Sequence, residues 1–174
     1  MNEGYQVLRN RRSIRNFKSE IPDKEIIDAI VEAGLYAPSA MNLQQTKIIV
    51  VTNSEMREKL VRDNKEIWGK ETDDPFYNAP VIMIVIAKAS CKNGIADGSL
   101  VMGNILNAAE ALGLGGIWVN RAKEEFERDD YKQLLKDLGI EGEWIGIGHA
   151  AIGYKNCANP EAYPREKDRV YYID

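Results

Sequence analysis

The sequence predicts an α+β fold, one sheet with helices on both faces, and three features carry that reading. β-branched or wholly apolar runs alternate with stretches whose apolar residues recur at three and four positions. The longest apolar run, Val81–Ala87, is unbroken, as in a strand buried on both faces. Strands and helices therefore alternate, but only four strands emerge besides the tail.

Each element has its own signal. Gly4 to Asn10 reads as a short helix leading into a basic cluster. Pro22-Asp23 opens a stronger helix in which Ile26, Ile27, Ile30, Val31, Gly34 and Ala37 recur at helical spacing, and Pro38 stops it. Ile26 stands where a capping box would need Glu or Gln. Lys47–Thr52 is a β-branched strand, and an amphipathic helix follows from Ser54 to Glu66. Gly69 to Tyr77 is a charged loop, and a strand over Val81–Ala87 comes next.

Asp97 to Leu112 is the most apolar helix, suited to the middle of the structure or to a second subunit. Its polar residues Asn104, Asn107 and Glu110 form one narrow stripe, which reads as helix packing or a dimer contact rather than catalysis. Gly113–Val119 is a turn into a strand, Tyr131–Leu138 a short helix, and Glu143–Tyr154 a glycine-rich strand holding His149, read as a satisfied core residue. A polar tail ends in the strand-like Val170–Ile173, an arm suited to pairing with another subunit.

Composition excludes several function classes. A chain of 174 residues suits one domain over 1–174. Its 23 basic and 27 acidic residues give a net charge of -4, which argues against nucleic acid as a partner. Cys91 and Cys157 have no ligand at metal spacing, and His149 is the only histidine, so neither a metal site nor a Cys-His nucleophile is expected. No run approaches a membrane span, and Met1–Gly4 leads straight into a polar helix, so a cytoplasmic protein with free thiols is expected.

Against that acidic background, Arg11-Arg12-Ser13-Ile14-Arg15 packs three guanidinium groups and a hydroxyl into five residues. Arginine forks onto phosphate or carboxylate, and a local cluster suits a small anion. Ala37–Gln44 is a loop of small and amide residues that lets backbone approach a flat ligand, with Asn42 and Gln44 to read a heterocycle edge. Tyr163–Lys167 brings a second basic pair near the end of the chain. Trp68 and Tyr77 either line a substrate pocket or anchor the loop between them.

Arg11–Arg15 followed by Ala37-Pro38-Ser39-Ala40-Met41-Asn42-Leu43-Gln44 resembles the FMN-dependent nitroreductase family. The resemblance continues through Ala111–Gly115, Ala150–Tyr154 and Pro164–Lys167, so it covers essentially the whole chain. It implies a central, mainly antiparallel sheet and a homodimer that exchanges its C-terminal arm and holds FMN at the interface. Arg11 and Ser13, with Arg12 beside them, match positions at the flavin phosphate and ribityl chain, and Arg15 one at the pyrimidine edge. Pro38, Ser39, Ala40, Asn42 and Gln44 match the loop that meets the flavin of the other subunit. Arg165 and Lys167 match a distal phosphate pair, while Trp118, Val119 and Asn120 lie where backbone amides approach the ring.

The chain departs from the family in places. Longer relatives often carry an acidic residue and a glycine where Asn120 and Arg121 stand, and Pro with an aromatic where Gln45 and Thr46 stand. The short Lys88–Ala96 connection implies a more open pocket. The implied activity is an NAD(P)H-dependent flavin oxidoreductase. Hydride passes from NADH or NADPH through flavin N5 to a nitroaromatic, quinone or similar small acceptor, with no catalytic side chain beyond electrostatic support from Arg15. The alternative is a low-turnover flavin carrier or scavenger, or a flavin-modifying protein of the same fold.

Overall fold

A computed structural model describes residues 2–70 and 73–174. The chain runs through α1 (Glu3–Asn10), α2 (Lys24–Leu35), β1 (Thr46–Val51), α3 (Ser54–Trp68), β2 (Val81–Lys88) and α4 (Gly94–Ala111). It continues through β3 (Gly115–Val119), α5 (Ala122–Phe126), α6 (Asp129–Asp137) and β4 (Trp144–Gly153).

The unbroken apolar run earns its place at the centre of the sheet. The strand order is β1-β2-β4-β3 and every pairing is antiparallel. Ile82, Ile84 and Ile86 of β2 point into one core with Leu60, Phe76, Tyr131 and Leu135. Val81, Met83 and Val85 point into the other, against Ile27 and Ile30 of α2 and Met102 and Ile105 of α4. Side chains alternate across a strand, so two covered faces demand an apolar residue at every position. That is the pattern the sequence shows.

Boundaries moved where backbone bonding outweighed side-chain pattern. The α4 helix starts at Gly94, three residues before the expected Asp97, with Asp97 N–H donating to Asn93 O at 2.9 Å. The α2 helix ends at Leu35, ahead of Pro38, because the residue before a proline avoids helical backbone. The five-residue α5 was not expected, being too short to show a period. The tail end Val170–Ile173 is not a strand, and its side chains are exposed. Positions 71 and 72 of the expected 69–77 loop lie outside the described residues.

Asn104 and Glu110 of the polar stripe pack between elements. Asn104 Nδ2 donates to Ala33 O at 2.9 Å, and Glu110 pairs with Lys155 at 2.8 Å. His149 is fully buried and hydrogen-bonded, as its apolar strand implied.

One extended segment positions the chemistry. Residues 13–18 form a strap along the β3 edge, bridging Ser13 to Gly116 and Phe17 to Lys155. Ile14 is wholly buried and its N–H donates to Gly116 O at 3.2 Å. Gly115 makes room for it, since a Cβ there would lie 2.8 Å from Ile14 Cγ1 and 2.9 Å from its Cβ. A Gly115→Ala substitution is expected to cost about 1–3 kcal/mol through overpacking. Urea unfolding would show this as a lower midpoint with an unchanged slope.

Candidate functional site

The strap brings the two ends of the chain together. Lys18 N–H donates to Tyr154 O at 2.9 Å and Asn156 N–H to Asn16 O at 3.0 Å, so the segment after β4 follows the strap back. The result is a cleft of about 270 Å³ lined by Arg11, Arg12, Ser13 and Arg15 from one end and by Glu161, Tyr163 and Arg165 from the other. Four guanidinium groups against a single carboxylate leave the cleft strongly positive.

The donors in it are not all engaged. Arg12 Nη1 donates to the carbonyls of Arg9 and Arg11, at 2.9 and 2.8 Å, tying off the end of α1. Arg11 Nη1 and Arg12 Nε are buried with no partner among the described residues. Orphaned buried N–H groups are costly, so a cleft that holds them calls for an acceptor. Lys167 does not line this cleft; it lies exposed further along the tail.

The loop before β1 forms a second cleft, also about 270 Å³, lined by Pro38, Ser39, Gln44, Thr46, Asp97 and Val101 among others. Met41, Asn42 and Gln44 all have positive φ, at 51°, 54° and 52°. Such backbone costs energy in non-glycine residues and persists only when neighbours fix it. Here Ser39 Oγ accepts Gln44 N–H at 3.1 Å, Gln44 Nε2 donates to Asn42 Oδ1 at 3.0 Å, and Asp97 Oδ1 accepts Ala40 N–H at 3.1 Å. Asp97 was missed from sequence; its value lies in burial, 4% exposed, with Oδ2 unpartnered among the described residues.

The two clefts are not neighbours. Thr46 pairs with Ala87, which pairs with Ile145, whereas the strap sits on Gly116, paired with Ile152. Seven residues along β4 and three strand spacings across separate these corners by about 27 Å, at ~3.3 Å per residue and ~4.8 Å per strand. One copy of the chain presents two halves and does not close them on each other.

A third group lies where β3 ends. The side chains of Trp118 and Val119 belong to opposite cores, leaving only backbone to meet a ligand, while Asn120 is exposed. Arg121 follows with φ 82°. Beneath this turn Asn64 Nδ2 donates to Asn120 O at 3.0 Å and to Glu125 Oε1 at 3.1 Å, and Asn64 Oδ1 accepts Arg121 Nε–H at 2.8 Å. His149 Nε2 lies 2.7 Å from Glu125 Oε2, and its Nδ1 lies 3.3 Å from Val119 O.

The Arg121 guanidinium stacks 4.7 Å from the Trp68 ring centre, and burial pulls its pKa below the ordinary value, with Glu125 and Glu124 opposing. Tyr77 lies close enough to act electrostatically on Arg121, and Arg15 Cζ sits 6.0 Å over the Tyr77 ring. Asp74 builds the Tyr77 turn by accepting Phe76 N–H at 2.7 Å and Asn78 N–H at 3.1 Å. The signal for Glu125 was hidden because α5, which carries it, has no visible period.

The nitroreductase family model matches residues 8–154. The chain belongs to the nitroreductase family. A Methanothermobacter thermautotrophicus relative, provisionally named NADH dehydrogenase/NAD(P)H nitroreductase, is 35% identical over 93% of this chain and 86% of its own length. The FMN reductase [NAD(P)H] of Bacillus subtilis is 31% identical over 88% of this chain and 66% of its own. The crystal structure of a Desulfitobacterium hafniense nitroreductase with bound FMN superposes with a TM-score of 0.88 at 27% identity, covering both chains fully. Nitroreductase-family folds therefore supply the frame in which these clefts sit.

Removing the Asp97 carboxylate should loosen the strained loop. In Asp97→Ala the Ala40 amide loses its acceptor, and hydrogen exchange at that amide is expected to speed up while β2 amides stay protected.

Proposed function

We propose that this chain is an FMN-dependent oxidoreductase that takes electrons from NADH or NADPH and delivers them to a small acceptor such as a nitroaromatic or quinone. It works as a homodimer of one nitroreductase-like unit spanning 1–174. The observation that carries the reading is the convergence of Arg11, Arg12, Arg15 and Arg165, from both ends of the chain, on one cleft with an unpartnered buried donor. A phosphorylated ring fits that donor set.

Magnitudes favour several contacts acting together. A hydrogen bond to a charged group contributes roughly 1.5–3 kcal/mol, and micromolar binding needs about 8. Arg11 and Ser13 alone fall short, whereas Arg165 and contacts to the ring close the gap. When bound, FMN supplies the electron transfer itself. Arg11, Ser13 and Arg165 hold its phosphate, and Arg15 places positive charge toward its ring.

The corner-to-corner separation of about 27 Å, the diagonal of about 23 Å along the strands and about 14 Å across them, supports the dimer. A loop at Pro38–Gln44 that meets flavin must then meet the flavin of a second copy. Leu35, Tyr36, Met41, Leu43, Ile95 and Leu100 are exposed around that loop and the start of α4, an apolar surface suited to such a partner. No described helix is long and apolar enough to cross a membrane.

Purified protein is expected to be yellow, to bleach anaerobically with NADH or NADPH, and to run as a dimer by light scattering. Colourless protein that takes up no FMN would overturn the reading, and yellow protein indifferent to both reductants would favour the carrier alternative. Arg165→Ala should raise the FMN dissociation constant about tenfold or more, by loss of one charged hydrogen bond. Fluorescence titration of FMN measures it.

A further inference from the structure

The Asn120–Arg121 turn is strained backbone braced by buried side chains. A non-glycine residue at φ 82° costs about 1–3 kcal/mol, and that cost is met only where the surroundings over-determine it. The surroundings here form a closed circuit. It leaves the turn after β3 at Asn120 O and Arg121 Nε, runs through Asn64 to Glu125 and His149, and returns to β3 at Val119 O. Asn64, Glu125 and His149 are all wholly inaccessible to solvent.

A buried polar trio of this kind contributes little net stability compared with apolar packing of the same volume. Its evident product is the fixed place of one guanidinium. Arg121 lies on Trp68, then Tyr77, then Arg15, and Arg15 lines the arginine cleft. The positive row thus extends from the phosphate end of the cleft to the end of β3.

We propose that Asn64, Glu125 and His149 are positioning residues for Arg121, and that Arg121 is a second cofactor-facing cation beyond Arg15, serving the flavin ring. The inference rests on the FMN reading above. A guanidinium held there favours the ring when it carries more negative charge, so it raises the flavin potential. The Arg15 side chain is exposed, whereas Arg121 is held by a hydrogen bond to Asn64 and by stacking on Trp68. The circuit also tolerates a neutral replacement. In Glu125→Gln the amide oxygen still accepts from Asn64, and the amide N–H donates to His149 Nε2 while Nδ1–H faces Val119 O.

The test uses full-length protein in two states. In flavin-free protein the Arg121 Nε–H proton should give a slowly exchanging NMR signal, present in wild type and Glu125→Gln and lost in Asn64→Leu. In FMN-loaded protein, Arg121→Gln and Asn64→Leu should each weaken binding of reduced relative to oxidised flavin about tenfold, a fall of about 30 mV for a two-electron couple. Glu125→Gln and Glu125→Leu remove the same charge, so the circuit predicts a lower potential in Glu125→Leu than in Glu125→Gln. An unchanged potential in Arg121→Gln overturns the proposal, and that half-exposed site keeps the test valid should a core variant fail to fold. A retained Nε–H signal in Asn64→Leu overturns the positioning role. Wild-type protein that binds no FMN overturns the reading underneath, while the flavin-free signal still decides the circuit.

Discussion

The pairing of the 13–18 strap with β3 and with the segment after β4 is the contact on which the candidate site depends. It is a small interaction, two isolated bridges and a few backbone hydrogen bonds. Its strength comes from Ile14, which goes fully into the core over Gly115. Burial of one isoleucine contributes about 1.5–3 kcal/mol, enough to order an otherwise polar segment. Side chains alternate along extended backbone, so sinking Ile14 turns Ser13 and Arg15 toward the cleft. The same strap guides residues 154–156 back along it, and this is how Arg165 comes to share a cleft with Arg11.

Positive charge at this edge carries its own cost. Four arginines in one cleft repel one another, and the protein offsets this only in part. Arg12 spends itself on two carbonyls at the end of α1, and Glu161 supplies one carboxylate. The remaining donors are left for whatever the cleft holds. Some carboxylates elsewhere do find cations. Lys59 sits between Asp63 and Asp130, and Arg57 pairs with Asp74. Buried donors without a partner among the described residues mark this cleft as a place for an anion.

Much of this was legible from the residues. The run Val81–Ala87 declared a central strand because two covered faces permit no polar position. Arg11–Arg15 alone reads equally as a solvated basic turn, and only the Ala37–Gln44 and Tyr163–Lys167 segments beside it pointed to an anion. What stayed hidden was chiefly long-range. Asp97 looks like any residue in the first turn of a helix, and only the fold puts Ala40 beside it. Glu125 looks like a surface acid in Lys-Glu-Glu until α5 folds against β4, where Gly146 leaves so little room that a Cβ would lie 2.1 Å from Ala122 O. Boundaries failed for a local reason: backbone hydrogen bonds extended α4 backward over residues with no helical pattern.

The distribution of strain separates the two halves of the site in kind. The Pro38–Gln44 loop carries three positive-φ residues, yet it is held mostly by its own side chains and one carboxylate, and its tip is exposed. The Asn120–Arg121 turn carries one, held by Asn64, which Glu125 and His149 brace, all three with no exposure at all. A surface loop of the first kind can adjust to a partner, because few buried contacts oppose its movement. A turn of the second kind cannot move without breaking a network in a low-dielectric interior, where each lost partner is costly. The chain therefore has one adaptable edge, which the proposed dimer would present to a second copy, and one rigid edge at the end of β3. Fixed charge is effective only when it need not reorganise, and the rigid edge is where Arg121 stands.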